Sequence, residues 1–387
     1  MMRGVLVLFE GLPPTVIDSQ VLTHVRMVRD ELGIDLAVIT VACSHALFES
    51  SQARLDRARA IAGGEVQLVR GLRAAMPGSL AVNRLLLGRA LGRLGPCSFV
   101  HARTDYAAAV VGPWGRRRSV PVLWDCRGDA RAELQQRLSR VTPTALRYRM
   151  QLMERELRLA GESCSGALFV TPQLRDVMEP YLAGQPTWLI PCLAPELEFF
   201  FDPALRDRVR GDLAIAPDEV VYIYSGSLVG YQLFDETIAA FRGVLAAGQN
   251  ARLIVLTPEV KRAQQACVGL PADSVICRSV NYAEVNGYLN AADFGILLRD
   301  STPVNLAAFP TKFAEYAMTG LKVVMKDAPP ACVAVARELG NYVPCGILTG
   351  PATVSERIRC ATQATQRLGR RTAMPIYGSI YESLARQ

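Results

Sequence analysis

The most constraining feature of this chain is an alternation that starts at its first residues. Apolar runs of four to seven residues recur with longer segments between them: Gly4–Phe9, Asp35–Val41, Glu65–Val69, Ser98–His101, Val120–Asp125, Ala167–Val170 and Thr187–Ile190. The segments between carry apolar residues at helical spacing, as in Gln20–Leu32 and Leu80–Leu94. A run apolar at every position, rather than at every second one, predicts a strand covered on both faces. Strands of that kind alternating with helices predict a parallel sheet with helical crossovers, the doubly wound α/β pattern.

The pattern breaks once. Ile190–Pro203 holds three prolines and an acidic cluster between Glu198 and Asp202, which reads as a linker. A second series follows, with strands expected at Val220–Ser225, Arg252–Thr257, Ser274–Arg278, Asp293–Leu298 and Leu321–Met325. The expected organisation is therefore a Rossmann-like domain over 1–190, a linker over 191–203 and a second Rossmann-like domain over 204–371. The terminal segment 372–387 is expected to pack back on the first domain. Two such domains facing each other across a cleft make the GT-B architecture, with ligands at the C-terminal edges of the strands.

Composition removes several classes. Half of the 387 residues are apolar and a fifth are charged, as in a folded globular protein. The longest apolar runs are strand-sized, and Met1–Glu10 lacks the h-region and cleavage site of a signal peptide, so a cytoplasmic protein is expected. The closest two of the ten cysteines, Cys267 and Cys277, are ten residues apart, and there is no C-x-x-C. They read as small buried apolar residues rather than as disulfides or zinc ligands. His24, His45 and His101 are scattered and no D-x-D occurs, so no metal site is expected. Without G-x-G-x-x-G, no dinucleotide cofactor is indicated. Residues 1–185 hold 24 arginines and no lysine against 17 acids, whereas residues 186–387 balance at 19 of each. The net charge of +7 thus lies in the first half, which points either to an anionic partner there or to ordinary solvated faces.

The densest chemistry lies between Asn290 and Met325, N-A-A-D-F-G-I-L-L-R-D followed by F-P-T-K-F-A-E-Y-A-M-T-G-L-K-V-V-M. A strand leads into a loop and then a helix that opens near Pro310–Thr311 and closes at Thr319–Gly320. The free N–H groups of such a helix start can hold a phosphate. Lys312, one of four lysines in the chain, lies in that first turn, and Glu315 shares its face three residues on. On spacing alone the two are either a solvated pair or a ligand-binding pair.

This stretch resembles the C-terminal signature of the family 4 retaining glycosyltransferases. Val170–Asp176 (V-T-P-Q-L-R-D) and Trp188–Leu193 (W-L-I-P-C-L) resemble that family's interdomain passage, so the likeness spans essentially the C-terminal half. The resemblance implies that Glu315 binds the ribose of a nucleotide, that Thr311 and Lys312 face its diphosphate, that Gly226 and Ser227 form the glycine-bearing turn after the first strand, and that Val280 lies against the base. Two positions depart from the family. The glutamate commonly found eight residues before the ribose-binding one is Ala307 here, and the cations commonly found after the glycine turn are replaced by Ser227 and by Gln232 or Leu233. Arg299 and Lys312 are left to supply that charge.

In the first domain, two loops follow strand ends, His101-Ala102-Arg103-Thr104-Asp105 and Asp125-Cys126-Arg127-Gly128-Asp129. Asp125 falls where the family commonly places a residue against the donor sugar, and Arg127 can grip an anionic group. Asp125 and Asp129 can equally be helix caps. Gly11, Arg103 and Asp105 are the acceptor-side candidates. The stretch Arg137–Arg158, with Arg140, Arg147, Arg149 and Arg155, reads either as a basic surface for anionic lipid or as a solvated helix face. The resemblance implies a retaining, metal-independent transferase with a nucleoside-diphosphate sugar as donor and no cofactor. Its partners would be a saccharide or lipid-linked acceptor, with peripheral association at an anionic membrane and no nucleic acid. The catalytic candidates are Asp125, Arg127, Arg299 and Lys312. A nucleotide-sugar epimerase and a non-catalytic binding subunit of a glycan-assembly complex are the alternatives.

Overall fold

The apolar runs are buried on both sides, as a parallel sheet demands: Val5, Leu6, Val7 and Leu8 are at most 2% exposed. The computed structural model describes residues 2–14, 17–137 and 142–387. Its chain divides into two units, Met1–Ile190 with Ala373–Gln387, and Pro191–Thr372. The first holds seven strands: β1 (Arg3–Leu8), β2 (Asp35–Ala42), β3 (Val66–Arg70), β4 (Phe99–Arg103), β5 (Val122–Cys126), β6 (Gly166–Phe169) and β7 (Thr187–Leu189). They pair in the order β3-β2-β1-β4-β5-β6-β7, all in parallel. Among the covering helices, α1 (Ser79–Leu94), α2 (Asp105–Arg118) and α3 (Pro143–Ser163) pack side by side, with α2 in the middle.

The second unit repeats the plan with β8 (Val220–Ser225), β9 (Ala251–Leu256), β10 (Val275–Arg278), β11 (Phe294–Leu297), β12 (Lys322–Met325) and β13 (Tyr342–Pro344). Their order is β10-β9-β8-β11-β12-β13, again parallel throughout. Helices α4 (Tyr282–Ala291) and α5 (Thr311–Met318) belong to this unit. Both sheets reverse direction beside their first strand, between β1 and β4 and between β8 and β11. Those reversals are the switch points at which doubly wound sheets open to ligands. The fold is thus two Rossmann-like units of the GT-B type.

At the opposite end of β11, Asp293 anchors the unit. Its carboxylate meets Arg206 at 2.8 Å and Arg210 at 3.5 Å and accepts from the Val221 amide. Arg357, 2% exposed, caps the carbonyls of Ala292 at 2.7 Å and Thr319 at 2.9 Å. These charges replace the hydrogen bonds that helix and strand ends would otherwise lack.

Several boundaries differ from the sequence reading for local reasons. β5 begins at Val122, because Pro121 has no N–H to give to the ladder. The helix expected from Gln20 starts instead with a wide π turn over Asp18–Leu22 before settling at Thr23. β13 is not signalled in the sequence, being a three-residue edge strand that ends on a proline. Residues 191–203 group with the second unit: Ala194 pairs with Gly369, and Glu196 accepts from the Arg371 amide at 2.7 Å. The terminal segment is one helix, α6 (Arg370–Ala385), which runs through Pro375. A proline costs a helix interior about 3 kcal/mol. Burial of Tyr377, Ile380, Tyr381 and Leu384 against the first unit offsets it. The ten cysteines are free, and five of them are buried. Among the described residues no helix is long and apolar enough to cross a membrane.

Candidate functional site

At the switch point of the second sheet, β8 ends at Ser225 and the chain turns through Gly226 at φ +129°, a conformation an L side chain rarely adopts. The space a Cβ would occupy there is filled by the end of the Lys312 side chain. Lys312 enters from the first turn of α5, whose N-cap residue is Pro310. Its Nζ donates to Gln232 Oε1 and lies 4.9 Å from the centre of the Tyr224 ring. Gln232 is fixed in turn, giving its amide to Ser227 Oγ at 2.9 Å and accepting from the Tyr224 hydroxyl at 3.1 Å. Gln232, one of the two residues read as replacing a cation after the glycine turn, is thus a neutral amide that holds Lys312 in place.

Arg299 follows β11 across the same switch point. It is 5% exposed, donates to the Tyr231 carbonyl at 3.0 Å and stacks over the Tyr231 ring at 4.9 Å. Its Nε is buried without a hydrogen-bond partner. Among the described residues no carboxylate forms a salt bridge with Arg299 or Lys312. Burial, then the charge of Arg299, brings the Lys312 pKa down to about 7. Burial also lowers that of Arg299. Two desolvated cations side by side are costly unless an anion joins them.

Glu315 sits one turn along α5, 8% exposed. Burial pushes its pKa up to about 7, against the pull of Lys312 and Arg370 and of a hydrogen bond with Tyr282. Glu198 adds to the rise. Val280 is half-buried in the loop that enters α4, two residues before Tyr282, and Thr311 opens α5. Gly226, Ser227, Arg299, Lys312 and Glu315 therefore gather around one switch point. Ala307 is buried at 1% exposure in the short turn before α5. The sequence reading missed Tyr224 and Tyr231 as ring partners of the two cations and Tyr282 as the partner of Glu315. Their only sequence signal is the clustering of aromatics near Gly226 and Val280.

The first unit's switch point is assembled differently. Arg103, at the end of β4, meets Glu10 at 3.0 Å and donates to Gln20 at 3.1 Å. Asp125, 3% exposed, lies 3.5 Å from Arg127 and 3.3 Å from His101 Nε2. Against the cost of burial, Arg127, His101 and Arg103 hold its pKa well below the carboxylate range. His101 Nδ1 meets the Tyr381 hydroxyl of α6 at 2.9 Å, and His24 Nε2 meets the same oxygen at 3.2 Å. Of the two aspartates read as caps, only Asp129 is one, accepting from the Arg131 and Ala132 amides at 3.1 Å each. Asp105 is turned inward, accepting from Trp124 Nε1 at 2.9 Å, and burial raises its pKa to about 6. Gly11, at φ +64°, is pinned between the Val41 carbonyl and the Thr40 hydroxyl. Asp125, Arg127 and Arg103 thus form one cluster, apart from Asp105 and Gly11. Among the described residues no group of three or more His, Cys, Asp or Glu gathers that could hold a metal ion.

No protein-family model and no curated sequence matches the chain. Solved structures do share its fold over nearly its whole length. HepE of Anabaena, solved with UDP, is similar with a TM-score of 0.71 at 14% identity, over 99% of this chain and 100% of that one. WaaG, a glycosyltransferase involved in lipopolysaccharide biosynthesis, has a TM-score of 0.61 at 15% identity over 98% and 95%. A putative UDP-N-acetylglucosamine 2-epimerase from Listeria monocytogenes has a TM-score of 0.57 at 12% identity over 99% and 97%.

Proposed function

We propose that the protein is a glycosyltransferase that takes a sugar from a nucleoside-diphosphate donor and passes it to a saccharide or lipid-linked acceptor at the inner face of the membrane. The observation that carries this reading is buried Arg299 beside half-buried Lys312, neither of which forms a salt bridge with a carboxylate among the described residues, at the mouth of a glycine turn and a helix start. That arrangement suits a diphosphate, whose charges two cations and free N–H groups can match. Glu315 beside them suits the ribose diol. The solved UDP and UDP-glucose complexes of HepE, which has the same fold, support the choice of ligand class.

In the proposed reaction the bond from the sugar's anomeric carbon to the diphosphate oxygen breaks, and one to the acceptor oxygen forms on the same face. The acceptor's proton passes to the leaving phosphate. Charge grows on the diphosphate as the bond breaks, so Arg299 and Lys312 act most strongly in the transition state. Asp125 and Arg127, paired with each other at 3.5 Å in the free protein, are assigned to meet the sugar and the acceptor in addition to holding the first unit's cluster. No metal or cofactor is invoked.

The epimerase among the structural neighbours favours a second reading, in which a nucleotide sugar is converted without an acceptor. Incubation with a nucleotide sugar alone separates the two, since a transferase leaves the sugar's configuration unchanged. The shared binding step is tested by thermal shift with UDP, other nucleoside diphosphates and their sugars. Saturating ligand at 100 times its Kd stabilises by about 2.7 kcal/mol. Glu315→Gln is expected to weaken nucleoside diphosphate binding about tenfold with the unliganded melting temperature nearly unchanged. Unaltered affinity in that variant would remove Glu315 from the site.

A further inference from the structure

On the outer face of the first unit, α1 and α2 enclose a surface cavity of about 500 Å³. Its walls are Arg84, Leu85, Arg89, Trp114, Arg117 and Arg118, completed by Ala81 and Gly88, with no carboxylate among them. Arg84 spends its guanidinium on the Val110 and Ala109 carbonyls at 3.1 Å each, which fixes it as a wall of the cavity. Arg118 stacks over the Trp114 ring at 5.1 Å. Arg117 and Arg155 lie close enough to lower the pKa of Arg84 further, after burial has done so. Among the described residues no carboxylate forms a salt bridge with Arg84, Arg89, Arg117 or Arg118, whereas on α3 Arg158 pairs with Glu154 at 2.9 Å. Of the basic stretch Arg137–Arg158, Arg140 lies outside the described residues, as does the side chain of Arg137.

Apolar side chains stand in solvent beside these cations. Val82 is 41% exposed and Leu85 57%, one turn apart on the outward face of α1, and Arg89 follows one turn after Leu85. Met76, 46% exposed, comes just before the helix. A site for a small soluble anion has no use for exposed aliphatic side chains. An anionic bilayer uses both kinds, since arginines meet the phosphates while leucine and valine enter the interface. The uneven charge of the chain, with all its excess in the first half, has the same sign.

We propose that the α1–α2 face of the first unit docks on a bilayer of anionic phospholipid, with a lipid phosphate seated in the arginine-lined cavity and Val82 and Leu85 in the interface. It gives the lipid-linked acceptor reading a place of encounter and rests on that reading for its purpose only. Vesicle binding and nucleotide-induced stabilisation are measured separately, so each can fail alone.

The test is co-sedimentation of the full chain with vesicles of phosphatidylglycerol and phosphatidylcholine, and with phosphatidylcholine alone. The expected result is binding to the first only, weakening as salt rises. Each arginine near the surface contributes about fivefold, so the double variant Arg89→Gln, Arg117→Gln is expected to bind about 25-fold more weakly. Leu85→Gln is expected to lose severalfold while keeping every charge. Both variants should keep the wild-type melting shift with nucleoside diphosphate, which shows that they fold. Equal binding to both vesicle types, or arginine variants that bind as wild type does, would overturn the proposal. So would a Leu85→Gln variant of full affinity together with displacement by inorganic phosphate, which would make the cavity a site for a soluble anion.

Discussion

The two units present equivalent strand ends in opposite electrostatic states. In the first, the residue that closes β4 is Arg103, and Glu10 from the end of β1 neutralises it at 3.0 Å. In the second, the residue just past β11 is Arg299, and the turn after β8 offers Gly226 and no acid. One switch point satisfies its charges internally. The other gathers two cations that form no salt bridge among the described residues. A buried charge with a protein partner holds the fold together, whereas one without a partner costs stability until an anion arrives. The same topology therefore yields a self-neutralised cluster on one sheet and, on the other, the cation pair proposed to bind the diphosphate.

The largest test of this contrast is Asp125→Asn. Removing one charge of a buried ion cluster is expected to cost about 3 kcal/mol, seen as a lowered denaturation midpoint of the first unit. Because its folded pKa is depressed, Asp125 contributes stability above its unfolded value near 3.8 and loses that contribution as pH falls below it. The variant should accordingly flatten the acid side of the stability profile. A variant as stable as wild type would show that the first cluster does not hold the fold and would erase the contrast.

Arg299→Ala and Lys312→Ala should behave in the opposite way. Each removes a desolvated cation, so the unliganded protein is expected to hold its stability or gain slightly. Nucleoside diphosphate affinity is expected to fall by about 1.5–3 kcal/mol in each, or roughly 10- to 150-fold, measured by calorimetry. Loss of folding without loss of affinity would break the contrast.

The smallest effect sharpens it. Lys312 has a pKa near 7 in the free protein, and a bound diphosphate favours the protonated amine. Binding should therefore take up a proton above neutrality, and affinity should fall about three- to tenfold between pH 7 and pH 9. Lys312→Arg, which stays charged, should remove that slope. An identical slope in the variant would assign the titration to another group.

Much of this molecule is legible in its residues. Runs such as Val5–Phe9 and Phe294–Leu298 are apolar at every position, and only a sheet covered on both faces can bury them, so the doubly wound class follows from local pattern. Pro310, Lys312, Glu315 and Gly320 mark a helix start, its charges and its end within eleven residues, and α5 occupies Thr311–Met318. Short-range signals of that kind survive folding because capping and the 3.6-residue repeat act within one element.

What only the tertiary structure decided is which charges meet. Glu10 and Arg103 are 93 residues apart, Lys312 and Gln232 are 80 apart, and His101 and Tyr381 are 280 apart. No local pattern marks such partners, because strand order brings them together and strand order is set by long-range burial. For that reason Asp129 and Asp125, four residues apart and both candidate caps by sequence, take different parts, one capping a helix and the other held in a buried ion cluster. The sequence determined the layers, the positions of the loops and the residue types available at each sheet end. Packing determined which of those residues meet a partner within their own unit and which charges stay unneutralised, because that depends on strand order rather than on any one element.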